Sequence, residues 1–128
     1  MNVYLLFFKD RLGIKTTAHV GVFGPPNMVI KALDELKVDR IGHGYRLLED
    51  EALYEKVIKS GVHFEVSPST GILFYSELNN PTVRYNKDSV SYSISSDIPA
   101  ATKSTLDKEY KIMLEKGVTV KQLQKSVS

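Results

Sequence analysis

Cysteine is absent from this 128-residue chain. That excludes both a disulfide framework and a zinc site built on thiolates. A dominant charge is absent too: Lys and Arg number 17 against 15 Asp and Glu, a net charge of +2. No basic stretch stands out, so neither a nucleic-acid partner nor a membrane partner is expected. Apolar runs are short. The longest near the start, Val3-Tyr4-Leu5-Leu6-Phe7-Phe8, is followed at once by Lys9, Asp10 and Arg11. It has no basic lead, no long apolar core and no small-residue cleavage site, so it reads as a strand or helix turn rather than a signal peptide. No stretch approaches the roughly 20 apolar residues of a membrane span. Internal repeats and low-complexity tracts are missing as well. These absences leave an ordinary globular composition, and a cytoplasmic setting is the expectation.

What is present is alternation. Ile14–Val20 is rich in β-branched residues and reads as a strand. Pro25-Pro26 opens a helix whose apolar stripe is Val29, Ala32, Leu33 and Leu36. Val38–Ile41 reads as a brief strand closed by Gly42 and Gly44. Asp50 is placed to cap a helix burying Leu53, Tyr54, Val57 and Ile58, with Gly61 at its C-terminus. Val62–Val66 is a third strand stopped by Pro68. Ser69 to Asn86, around Asn79-Asn80-Pro81, reads as a polar loop. Val90, Tyr92 and Ile94 alternate with serines in a fourth strand that leads to Asp97. Ser104 with Asp107 is a capping pair for a helix whose face is Leu106, Tyr110, Met113 and Leu114, and Gly117 ends it. Thr119 with Gln122 starts a last short helix. Strand then helix, repeated, argues a parallel sheet in an α/β fold, and the periodicity alone fits a barrel or an open doubly wound sheet.

In parallel α/β proteins the chemistry sits at the C-terminal ends of strands. His19, His43 and Asp97 stand at three such ends. Imidazole and carboxylate suit both zinc ligation and proton transfer. Taken singly, each has a plain alternative. His19 reads as a hydrogen-bonded surface residue, His43 in Gly42-His43-Gly44 as part of a tight turn, and Asp97 before Ile98-Pro99 as a cap or turn residue. His63, beside Phe64, reads as a core or barrel-wall histidine, and Glu65 carries no assigned chemistry.

Leu36-Lys37-Val38-Asp39-Arg40-Ile41-Gly42-His43-Gly44-Tyr45, followed by Leu48-Glu49-Asp50, closely resembles a signature of the metal-dependent adenosine deaminases. His63-Phe64-Glu65-Val66 with Pro68 is similar to that family's next strand. Ser91-Tyr92-Ser93-Ile94, Asp97, Pro99 and Lys103-Ser104-Thr105-Leu106-Asp107 resemble its last strand and helix. The likeness is ordered and continuous from about Gly13 to about Tyr110, and residues 1–12 have no counterpart in it. The resemblance implies an α/β fold that is the C-terminal half of a (β/α)8 TIM-type barrel, with residues 1–128 as one partial barrel domain. It implies zinc as cofactor and a small purine nucleoside as ligand. The implied reaction is hydrolytic deamination of adenosine or deoxyadenosine to inosine or deoxyinosine, in purine metabolism. By motif, His19 corresponds to the third zinc-binding histidine and Asp97 to the zinc-binding aspartate. His43 corresponds to the histidine that orients or deprotonates the attacking water.

Three departures from the family pattern bear on that expectation. Where the family carries His-Ala-Gly-Glu, this chain has His19-Val20-Gly21-Val22, and valine has no proton to give the purine ring. Where the family has two consecutive aspartates, Asp97 is followed by Ile98, so the partner of the purine imidazole nitrogen is gone. The family's first two zinc histidines form His-x-His, and no such pair occurs here. The zinc site is therefore expected to be incomplete and turnover impaired. Loss of a general acid alone lowers a rate by about 100- to 10,000-fold. The alternative expectation is a catalytically inactive paralogue or fragment that binds a purine or a partner.

Overall fold

A computed structural model describes residue 9 and residues 11–126. The apolar run Val3–Phe8 lies outside the described residues. The chain divides into two compact units, Met1–Val62 and His63–Ser128.

In the first unit, strand β1 (Thr17–Val20) pairs in parallel with β2 (Arg40–His43), with Thr17 opposite Arg40 and Val20 opposite His43. Both strands are shorter or later than the sequence suggests. β1 begins at Thr17 rather than Ile14, and β2 runs Arg40–His43 rather than Val38–Ile41. Asp39 explains the shift. Its carboxylate accepts from the Thr16 backbone N–H at 2.9 Å, and its own N–H donates to the Thr16 carbonyl at 2.9 Å. The ladder starts only beyond this clasp. Helix α1 (Asn27–Asp34) connects the strands and buries Val29 and Ala32. After β2 comes a 3₁₀ turn, Tyr45–Glu49, that buries Tyr45 and Leu47. Helix α2 (Glu51–Lys59) follows, burying Tyr54 and Val57. Its cap is as the sequence indicates: the Asp50 carboxylate accepts from the Leu53 N–H at 3.1 Å, satisfying a donor that helix geometry leaves unpaired. Gly61 has φ +73°, a conformation costly to residues with a Cβ.

The second unit carries β3 (His63–Val66) and β4 (Tyr92–Ile94), again parallel, with Glu65 opposite Ser93. Between them the expected polar loop is instead two helices, α3 (Pro68–Phe74) and α4 (Pro81–Lys87). Ser67-Pro68 and Asn80-Pro81 read as chain breaks in the sequence, yet each is a cap followed by proline at the first helical position. The Ser67 hydroxyl accepts from the Thr70 N–H, and the Asn80 side chain accepts from the Thr82 N–H. Proline fits there because that position needs no N–H for the helix. A short helix α5 (Pro99–Thr102) follows β4, then α6 (Leu106–Glu115) and α7 (Val120–Lys125).

The cap of α6 is Thr105, one residue later than the expected Ser104. Its buried face also differs from expectation: Glu109 and Met113 are buried, while Leu106 and Leu114 are 48% and 44% exposed. Hydrogen bonds from Ser69 satisfy the Glu109 carboxylate in its inner position. Met113, Val118 and Leu123 form a core cluster, with Val83, Ile94 and Tyr110 packed on it. The Phe64 and Tyr85 rings pack at 4.7 Å. Thr119 and Gln122 make the reciprocal capping box that their spacing indicates.

Candidate functional site

The first unit brings two of the sequence-predicted residues together. His19 lies within β1 and is exposed, whereas His43 is the last residue of β2 and is buried. The register sets His19 opposite Gly42, not His43. Strict alternation along a strand would send His43 to the other face. His43 instead has φ +72°. This left-handed turn at the strand end lets its ring meet that of His19, with centroids 4.6 Å apart and planes at 75°. The Tyr45 ring lies 5.1 Å from His43 on an edge-on approach. Histidine is among the few non-glycine residues that adopt this region at modest cost, and strained backbone of this kind gathers at functional sites.

Two glycines make room for the pair. A Cβ on Gly42 would lie 3.3 Å from the Cα of His19. Gly21, at φ +82°, has the Cα of Gly44 on its open side. Three hydrogen bonds then fasten the loop after β1 to the loop after β2. The Gly44 N–H donates to Val20 at 2.9 Å, the Arg46 N–H donates to Gly21 at 2.8 Å, and the Arg46 Nε–H donates to the Val22 carbonyl at 3.0 Å. Arg46 also pairs with Glu49. Val22, at the position where a glutamate is expected from the resemblance, is buried.

Asp97 belongs to the second unit, in the loop after β4 rather than at the strand's last residue. It too sits in the left-handed region, at φ +54°. The Thr70 hydroxyl donates to its Oδ2 at 2.7 Å, and its own N–H donates to the Ser95 hydroxyl at 3.3 Å. The neighbouring Ile98 is 54% exposed. His63 has a structural place: its two ring nitrogens pair with the hydroxyls of Ser91 and Ser93 at 2.9 and 3.0 Å. Glu65 is half-buried beside it in β3.

Thr70 and Arg46 stand in no sequence motif that marks them as functional. For Glu109 a signal was there to read. It stands four residues before Met113 on α6, in the row of an inward-facing apolar residue, and a charged residue there needs partners. The His19 and His43 imidazoles of the first unit are nitrogen donors of a kind that zinc accepts, and the Asp97 carboxylate of the second unit is an oxygen donor of such a kind.

With that geometry in view, the comparisons are consistent. The adenosine deaminase family model matches residues 8–126. Adenosine deaminase from Mus musculus is 42% identical over 103 residues, covering 78% of this chain and 29% of that protein. The Gallus gallus adenosine deaminase is 41% identical over 110 residues, covering 83% of this chain and 31% of its own length. Among solved structures, an adenine deaminase from Arthrobacter aurescens superposes with a TM-score of 0.82 at 22% identity, covering 96% of this chain and 39% of that one. An amidohydrolase from Burkhoderia ambifaria with bound zinc gives 0.79 at 24% identity, covering 96% and 36%. Parallel strands alternating with helices, in the manner of part of a (β/α)8 barrel, define the class of protein. The chain belongs to the adenosine deaminase family. It spans about three-tenths of the length of the curated relatives it matches. Among the described residues, no helix is long and apolar enough to cross a membrane.

Proposed function

We propose that this chain contributes the C-terminal part of a zinc-dependent aminohydrolase site acting on adenosine or deoxyadenosine, with turnover impaired by its own substitutions. The observation that carries the proposal is the meeting of His19 and His43, in a chain of a family whose named relatives deaminate adenosine. His19 and Asp97 are the proposed metal ligands, and His43 is the proposed proton acceptor for the attacking water. Zinc, when bound, supplies Lewis acidity that brings a water's pKa toward neutrality. The chain's own residues do the rest. His19 and Asp97 would hold the metal, and His43, with Tyr45 against its ring, would take the proton from the attacking water.

Val22 and Ile98 have no proton to donate to a purine ring nitrogen and no polar atom to hold one. In this reading, binding of the nucleoside outlasts its conversion. A cytoplasmic setting and a role in purine metabolism belong to the same proposal. The apolar pair Val22 and Ile98 also favours a second reading, in which the chain binds a purine or a partner without turnover.

Zinc analysis of the purified chain, joined to an absorbance assay of adenosine conversion to inosine, separates the two. Zinc uptake with slow turnover supports the first. Zinc uptake with purine binding and no turnover supports the second. A chain that takes up neither zinc nor purine overturns both.

A further inference from the structure

The closely spaced hydroxyls of Ser69, Ser67 and Thr70 span the start of α3 between the buried Glu109 and Asp97. Glu109 is fully buried, and its carboxylate accepts from both the backbone N–H of Ser69, at 2.9 Å, and the Ser69 hydroxyl. Ser69 and Ser67 hydroxyls lie 3.2 Å apart, as do Ser67 and Thr70. Thr70 ends the line on Asp97 at 2.7 Å. Ser67 and Thr70 are themselves buried.

The donors along this line follow from the chemistry at its ends. An ionised carboxylate only accepts. Ser69 therefore gives its single hydroxyl proton to Glu109, and Thr70 gives its own to Asp97. Ser67 then gives its proton to Ser69, and its oxygen accepts the Thr70 N–H at 3.4 Å, which ties Thr70 to the Glu109 end. Each hydroxyl thus has a preferred direction, and the Thr70 proton is aimed at Asp97.

We infer that Thr70 is a positioning residue for the Asp97 carboxylate, and that Glu109 holds Thr70 in that role through Ser69 and Ser67. The inference rests on the reading of Asp97 as a metal ligand. Asp97 sits in a left-handed loop conformation, outside any strand ladder that would fix its side chain. The hydrogen bond from Thr70 restrains the carboxylate's rotation. Partners of this kind orient metal ligands, and their loss weakens metal binding about 10- to 100-fold.

The test is zinc titration of the full chain and its variants, with circular dichroism to confirm folding. Thr70→Val, which keeps the shape and removes the hydroxyl, is expected to weaken zinc binding about 10- to 100-fold. Thr70→Ser should restore affinity to within about threefold of the parent, a rescue that a merely space-filling role would not give. Glu109→Gln should shift affinity in the same direction as Thr70→Val by a smaller factor. A second measurement is made without metal, with Thr70→Ala in place of Thr70→Val where the valine variant does not fold: a denaturation cycle of the Thr70 variant with Asp97→Ala. Coupling of at least about threefold in the unfolding constant is expected.

Unchanged zinc affinity in Thr70→Val, or no coupling in the cycle, overturns the inference and leaves the zinc reading standing. No zinc uptake by the parent chain overturns the zinc reading and the positioning role together.

Discussion

Gly21 and Gly44 approach so closely that a Cβ on Gly21 would stand 2.8 Å from the Cα of Gly44. The loop after β1 therefore lies directly on the loop after β2, the two loops that follow His19 and His43. Gly21→Ala meets backbone that cannot step aside, and its φ of +82° is strained for any side chain. The substitution is expected to destabilise the chain by about 2–4 kcal/mol. Urea denaturation reads the loss, and a change under about 0.5 kcal/mol would contradict the close approach.

Asp39 gives the stability a pH dependence. Hydrogen bonds from Lys9, from the Thr16 backbone and from Lys15 hold its carboxyl well below the usual carboxylate range. A carboxyl depressed in the folded state stabilises it at any pH above the unfolded value of about 3.9. That contribution is lost as the pH falls below about 3.9 toward the folded value. Asp39→Asn should flatten this acid limb of the stability curve. An unchanged limb, followed by thermal melts across the acid range, would remove Asp39 as its source.

Val22 and Ile98 should respond differently to substitution by the acidic residue that the family resemblance implies at each. Val22 is 4% exposed, so Val22→Glu places a carboxylate where water does not reach and should cost about 3–5 kcal/mol if no partner forms. Ile98 is 54% exposed, and Ile98→Asp should change stability by less than about 0.5 kcal/mol. Equal costs in paired denaturation curves would show that burial does not separate the two positions.

Asn80 is a joint between two helices. Its Nδ2 donates to the Pro68 carbonyl at 2.9 Å at the start of α3, and its Oδ1 accepts from the Thr82 N–H at 3.0 Å at the start of α4. It is buried, so Asn80→Ala strands a carbonyl and an amide together. A loss of about 2–3 kcal/mol is expected, more than the roughly 1 kcal/mol of an exposed cap. Thr119→Ala, at the exposed capping box before α7, supplies that comparison in the same assay.

Much of the architecture was legible because it is local. The caps at Asp50 and Thr119 act over three residues, and the glycines at 61 and 117 end their helices by their own conformation. Where signals had two meanings, the sequence misled. Ser67-Pro68 and Asn80-Pro81 look like the end of one element and are the beginning of the next. The start of β2 was misplaced because the clasp between Asp39 and Thr16 joins residues far apart in the chain.

By itself the sequence determined the alternation of parallel strands and helices, the absence of thiolate chemistry, and a motif around His43 specific enough to mark the family. It also fixed Val22 and Ile98 as residues without a proton to give, since that is a property of the side chain and not of its surroundings. The tertiary structure alone decided that His43 turns out of its strand's alternation to meet His19. It alone decided that Glu109 takes an inner position on its helix, and that Asp97 accepts from Thr70. The reason is the range of the forces involved. Propensity and capping act between neighbours and are written in order along the chain. A backbone turned to positive φ at a strand end, or a buried carboxylate satisfied by a helix 40 residues away, takes its stability from partners that only the folded chain brings near.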